Sequence, residues 1–146
     1  MISALLQGLF GFKRAEYRVK ALLGPVTGPI TSFDVSDMDA LIMVAAVMNF
    51  TTSAVVANRG IRLQINDNFF AGWFYPVSAT QAASQVLLYT WGWGTVLTSS
   101  IGQNFGYVPI VPAITLSPLT LQYVITAGDV ADTLTNMEMH HIALFR

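Results

Sequence analysis

Short runs of apolar or alternating residues fill most of this chain, and glycine, proline, asparagine and aspartate interrupt them at frequent intervals. The clearest alternation lies in residues 61–66, where Ile61, Leu63 and Ile65 are separated by polar side chains. Side chains alternate between the two faces of a β-strand, so this spacing gives one apolar face to a core. β-Branched and aromatic residues, which strands favour, are abundant throughout. The pattern predicts an all-β protein.

About eight strands are predicted, and no segment has the pattern of a long helix. This number favours a single jelly-roll-like antiparallel β-sandwich, while an immunoglobulin-like sandwich or a barrel stays open. Residues 32–39 and 76–81 are predicted as polar loops. The predicted strands cover residues 14–22, 40–50, 61–65, 69–75, 85–91, 107–116, 119–126 and 133–145.

The length of 146 residues suits one domain, residues 1–146, with enough chain for a core. Residues 1–12 are apolar but contain two glycines, which weaken a helix. They fit a helix, a strand or an N-terminal arm that orders on a neighbouring chain.

The middle of the chain carries no formal charge. Residues 68–128, 61 in succession, include no Asp, Glu, Lys or Arg, whereas soluble domains carry charge at about a quarter of positions. A membrane-spanning helix needs about 20 apolar residues in a row, and glycines, prolines and amides interrupt this segment too often for one. We therefore expect no membrane partner, and a surface that other protein chains cover.

The overall composition narrows the classes of partner and compartment. The net charge of −1 gives no general attraction to nucleic acid, which is not expected as a partner. The absence of cysteine excludes disulfides and thiolate chemistry, and it is compatible with folding in a reducing cytoplasm. The N-terminal apolar residues precede the basic residues that begin at Lys13, the reverse of a secretory signal, so export is not expected.

Candidate catalytic and metal-binding groups are few. His140 and His141 are neighbours, which point to opposite faces of a strand and cannot bind one ion together. The pattern favours one core or interface histidine and one partly exposed histidine. Asp34, Asp37 and Asp39 form a carboxylate cluster in a segment whose residue types are typical of turns. With no catalytic or cofactor motif, we expect no enzyme activity, no cofactor and no metal.

Two groups of residues are candidates for binding other proteins. Trp and Tyr are common anchors of interfaces, and we expect subunit contacts, with a sugar-stacking platform as the alternative, from Trp73, Tyr75, Trp91, Trp93 and Tyr107. The strand predicted at 14–22 has a basic face that we expect to dock on a shell of other subunits, with a solvated edge strand as the alternative. Its basic residues are Arg14, Arg18 and Lys20.

Several segments resemble small jelly-roll virion proteins of tailed bacteriophages, of the capsid cement or decoration type. They are residues 51–59 (TTSAVVANR) with 61–65 (IRLQI), 82–85 (AASQ) with 87–91 (LLYTW), 116–119 (LSPL), and 125–129 (ITAGD) with 134–137 (LTNM). The resemblance implies a structural virion protein, made in the host cytoplasm and located in the capsid. It implies a homo-oligomer, expected to be a trimer, that stabilises a phage head by contacts with the major capsid protein. The alternative is a tail, neck or fibre component with a receptor- or glycan-binding role.

Overall fold

A computed structural model of the chain describes residues 11–28, 30–67, 73–93, 104–110, 113–116, 118–126 and 129–146. Among these residues there are eleven β-strands and no helix, which confirms the prediction of an all-β protein. None of the described residues belongs to a helix that could cross a membrane. The strands are β1 (Arg14–Leu22), β2 (Val26–Thr27), β3 (Ile30–Asp34), β4 (Ala40–Thr51), β5 (Ala57–Asp67), β6 (Trp73–Gln81), β7 (Val86–Gly92), β8 (Asn104–Pro109), β9 (Ile114–Leu116), β10 (Pro118–Thr126) and β11 (Thr133–Phe145).

The strands form two sheets that pack face to face. The seven-stranded sheet has the order β1-β11-β4-β7-β8, with β2 beside β11 and β9 beside β4, and the four-stranded sheet has the order β3-β10-β5-β6. Four antiparallel pairs, β1–β11, β3–β10, β4–β7 and β5–β6, are nested along the chain, as if one long hairpin were folded over into both sheets. This nesting is the jelly roll, so the prediction of a jelly-roll-like β-sandwich is confirmed.

The alternating residues of both sheets form the core. Ile61, Leu63 and Ile65 of β5 all point inward and are buried, as the sequence predicts. The ring of Trp91 on β7 lies 5.5 Å from the ring of Tyr123 on β10, so aromatic side chains join the two sheets. The Tyr123 hydroxyl lies 2.8 Å and 3.0 Å from two main-chain carbonyl oxygens, one on β4 and one on β11.

Some local predictions about strands are wrong. The sandwich is not purely antiparallel, because β8 runs parallel to β7. Residues 32–34 belong to β3 instead of a loop, because Thr31 and Phe33 alternate into the interior between their polar neighbours. Residues 76–81 belong to β6, which tolerates Pro76 because this strand lies at the edge of its sheet. β2 and β9 are too short to produce an alternating pattern.

A buried ion pair joins the loops at one end of the sandwich. Arg59 donates through Nε to Asp132 over 2.6 Å, and their side chains are 0% and 1% exposed. The Asp132 carboxylate also accepts the main-chain N–H groups of Ser53 and Asp129, and Arg59 donates to the Ser53 hydroxyl and the carbonyl of Val55. Burial acts to raise the pKa of Asp132, but these hydrogen bonds outweigh it and hold that pKa below its usual value.

Candidate subunit interface

The outer face of the seven-stranded sheet, which points away from the core, carries apolar side chains on several adjacent strands. Water normally covers the outer face of an antiparallel sandwich, which is therefore polar. Exposed apolar side chains on several strands of one face make that face a candidate for a protein contact. This apolar outer surface comprises Tyr17 and Val19 of β1, Ile142 of β11, Ile42 and Val47 of β4, Val86 and Leu88 of β7, and Ile114 and Leu116 of β9.

Several members of the apolar outer surface are open to solvent. Tyr17 is 62% exposed, Val86 61%, Val19 45% and Leu116 42%. They lie on three different strands, so the exposure extends across the sheet and is not confined to one loop.

The outer face of the four-stranded sheet has a different character. Its described side chains, on β3, β5 and β10, are mostly polar, and Gln122 Nε2 donates to the hydroxyl of Ser32 over 2.9 Å. Ile30, at the edge, is 54% exposed. The contrast between the two outer faces makes the apolar one the candidate contact surface. The polar residues on the four-stranded sheet are Ser32, Asp34, Arg62, Gln64, Thr120 and Gln122.

Phe12 covers one end of the apolar outer surface. Its ring is buried in a small cluster with Ala40 and Leu144, beside the three isoleucines of that surface. Ala40 lies opposite Leu144 in the β4–β11 register, on the face away from the main core. Residues 1–10 lie outside the described residues, so the N-terminal arm stays a prediction.

A line of hydrogen bonds crosses the apolar outer surface. The hydroxyl of Tyr17 lies 2.5 Å from Nδ1 of His140, and Nε2 of His140 lies 3.0 Å from a carboxylate oxygen of Glu138. His141 points the other way and is fully buried, which confirms that the two neighbouring histidines occupy opposite faces. Within the described ranges, no three His, Cys, Asp or Glu residues are grouped so that they could hold a metal ion.

The buried ring of His141 has few hydrogen-bond partners. Nδ1 of His141 lies 3.4 Å from the carbonyl oxygen of Met139, and no described residue bonds to Nε2. Burial lowers the pKa of His141, and the positive charges of Lys20 and Arg18 act in the same direction. The folded protein therefore favours the neutral ring.

The basic residues of β1 are mostly paired within the chain. Glu16 binds Arg14 at 3.0 Å and Arg18 at 2.9 Å, and Arg18 also binds Asp37 at 2.5 Å. These two arginines carry little free positive charge with which to attract a shell. Lys20 forms no ion pair with a described residue, and the docking role predicted for the three residues stays a prediction.

The aromatic residues expected at subunit contacts separate into distinct environments. Trp91 is fully buried between the sheets, so its predicted role in a subunit contact is wrong: its ring packs on Tyr123 in the chain's own core. Trp93, just beyond β7, is 42% exposed and is available to a partner. Trp73 and Tyr75 lie in β6 and Tyr107 lies in β8, but the structure describes only the backbone of these three residues, so the contact roles expected of their side chains stay predictions.

Sequence reasoning missed two features of this surface. It had no signal for the Tyr17–His140 contact, whose residues are 123 positions apart. It also assigned the docking role of β1 to the charged face of the strand. The large exposed side chains, Tyr17 and Val19, lie on the opposite, uncharged face. Alternation along β1 does separate the two faces, because the uncharged face carries only Ala15, Tyr17, Val19 and Ala21, but it does not indicate that Tyr17 and Val19 are exposed.

The sequence matches no protein-family model and no curated protein. Similar solved structures include a chain of the T13 particle of infectious bursal disease virus, at 10% identity and a TM-score of 0.42, covering 91% of this chain and 32% of that one. A chain of the Gx strain of infectious bursal disease virus gives 10% identity and a TM-score of 0.35 over the same shares. This chain thus spans about a third of the length of those viral chains.

Proposed function

We propose that this protein is a structural virion subunit that holds a particle together by burying the apolar outer surface against neighbouring subunits. The observation that carries the proposal is the contrast between the two outer faces of the jelly roll. On its described strands one face is mostly polar, and the other exposes Tyr17, Val19, Val86 and Leu116, which lie on three strands of the seven-stranded sheet. A sandwich that faced water on both sides would not retain this asymmetry.

The proposed mechanism is hydrophobic burial repeated over many copies. Burial contributes about 25 cal/mol for each Å² of apolar surface removed from water. Contacts repeated by symmetry act together, so that individually weak subunit contacts stabilise a large shell. The charge-free segment 68–128 fits this role, because the centres of interfaces are depleted in charged residues.

The finer proposal is a cement or decoration protein of a bacteriophage head, a homotrimer in contact with the major capsid protein. Its support is the resemblance of segments such as 51–59 and 125–129 to such proteins.

Three matched lysine substitutions test the proposed surface. Val86→Lys and Leu116→Lys place a charge on the apolar outer surface at exposed positions, and Ile30→Lys places the same charge at an equally exposed position on the other sheet. We expect the first two to weaken assembly, measured by sedimentation velocity and by copies bound per particle, at least about tenfold, because a buried unpaired charge is costly. Ile30→Lys should assemble normally. If all three variants assemble to the same extent, the apolar outer surface is not the contact surface.

Trp93 supports a second candidate function, a receptor- or glycan-binding component of a tail, neck or fibre. Its exposed ring, just beyond β7, could stack on a sugar. Mass spectrometry of purified particles separates the two roles by copy number. About one copy per major shell subunit favours the cement role, and a small fraction of that number, with glycan binding lost in Trp93→Ala, favours the tail role.

A further inference from the structure

β1 forms one edge of the seven-stranded sheet. Within the described residues its only strand neighbour is β11, and none of its nine residues is fully buried. The side of an edge strand that faces away from its sheet presents main-chain N–H and C=O groups, which a further strand can bind. What this edge binds depends on the side chains that a second strand would meet.

We infer that β1 pairs antiparallel with β1 of a second copy, about a two-fold axis that passes through Arg18. Arg18 is the central residue of Arg14–Leu22, so this register overlaps the whole strand. A two-fold contact brings the same segment of both copies together, and residues opposite each other point to the same face.

The charges of β1 are complementary in this register. Glu16 of one copy lies opposite Lys20 of the other, and the symmetry repeats the pair. Opposite charges directly across a strand pair stabilise it. The two copies of Arg18 also meet, but each is bound at 2.5 Å to Asp37, whose carboxylate offsets its charge.

The other face of β1 is complementary as well. Tyr17 of one copy lies opposite Val19 of the other, and these are the exposed large apolar residues at the centre of the strand. Aromatic and β-branched residues form favourable cross-strand pairs. Pairing would also join the apolar outer surfaces of two copies into one continuous surface.

Other registers fit less well. A shift of one residue sets the charged face of one strand against the apolar face of the other. A shift of two residues, centred on Tyr17, pairs Glu16 with Arg18 but also sets Arg14 against Lys20. The opposite shift, centred on Val19, sets Arg18 against Lys20, so each of these registers brings like charges together. Charged edge strands normally prevent strand addition. In the register centred on Arg18, the charges of β1 disfavour pairing with the edge strands of other proteins and favour pairing with β1 of a second copy. They therefore make the pairing specific.

Two charge-reversal variants, studied singly and as a mixture, test the pairing. Glu16→Lys alone and Lys20→Glu alone each set like charges opposite each other twice, so we expect at least about a tenfold weaker dimer in sedimentation velocity. A mixture of the two variants restores both opposite-charge pairs, as Lys against Glu, and should form heterodimers. Circular dichroism checks that each variant is folded. A mixture that associates no further than the single variants, or single variants that associate like the parent, would overturn the inference.

A cysteine trap tests the register, and the chain has no native cysteine to interfere. Arg18→Cys places two thiols directly opposite each other across the axis, within disulfide range. Val19→Cys places them two residues out of register. We expect mild oxidation to cross-link the first variant and not the second. Equal cross-linking of both, or none in the first, contradicts the pairing. The result is separate from the proposed function, which the Val86 and Leu116 variants test on other strands.

Discussion

Replacement of Asp132 by alanine removes the anion from the buried pair with Arg59. The two side chains are 1% and 0% exposed, so water cannot reach the guanidinium left behind unless the loops open. The main-chain N–H groups of Ser53 and Asp129 lose their acceptor in the same step. The loops before β5 and before β11 therefore lose the contacts that join them.

The expected loss of stability is large for a single substitution. Removing one partner of a buried ion pair costs about 3–5 kcal/mol, and a buried donor left unsatisfied costs about 1–3 kcal/mol. Relaxation of the loops recovers part of this lost stability, so we expect the free energy of unfolding to fall by about 4–5 kcal/mol. Domains of this size have about 5–15 kcal/mol in total. The melting temperature should fall by roughly 8–20 °C, at about 2–4 °C per kcal/mol.

Urea denaturation followed by circular dichroism at neutral pH measures this loss by linear extrapolation. Asp37→Ala is the matched control, because Asp37 forms an exposed pair with Arg18 and should contribute no more than about 1 kcal/mol. If Asp132→Ala loses no more stability than Asp37→Ala, the reasoning is refuted. The double variant Arg59→Met with Asp132→Leu should recover much of the loss, because it leaves no buried charge unpaired.

Three further predictions use the same denaturation assay. Tyr123→Phe removes a hydroxyl that bonds main-chain carbonyls across the sheets, and we expect a loss of about 1–2 kcal/mol; no loss would show that the contact is energetically neutral. The pKa of His141 is lowered, so its stabilising effect is complete above its usual pKa of about 6.5 and is lost as pH falls, by about 1.4 kcal/mol per pH unit until the folded-state pKa is reached. His141→Gln should flatten that slope, and an unchanged slope would assign it to other groups. Trp91→Ala should cost about 3–5 kcal/mol, whereas Trp93→Ala should stay within about 0.5 kcal/mol; similar losses would contradict their different burial.

Period-two alternation predicted which residues of several strands face the core. Ile61, Leu63 and Ile65 point inward, and His140 and His141 separate to opposite faces. These predictions hold because alternation is a property of the extended backbone alone and does not depend on which strand lies beside it. The closing strand, Thr133–Phe145, was located for the same reason.

Sequence by itself thus determined the strand content, the inward face of the regular strands and an uncharged middle segment that indicates a covered surface. Only the tertiary structure decided which outer face is apolar, because that depends on the order of strands in the sheets. It also decided that Trp91 belongs to the core, and that Arg59 and Asp132, 73 residues apart, form a buried pair. Contacts between distant segments arise when the chain folds over on itself, and a local pattern of side chains does not record which segments meet.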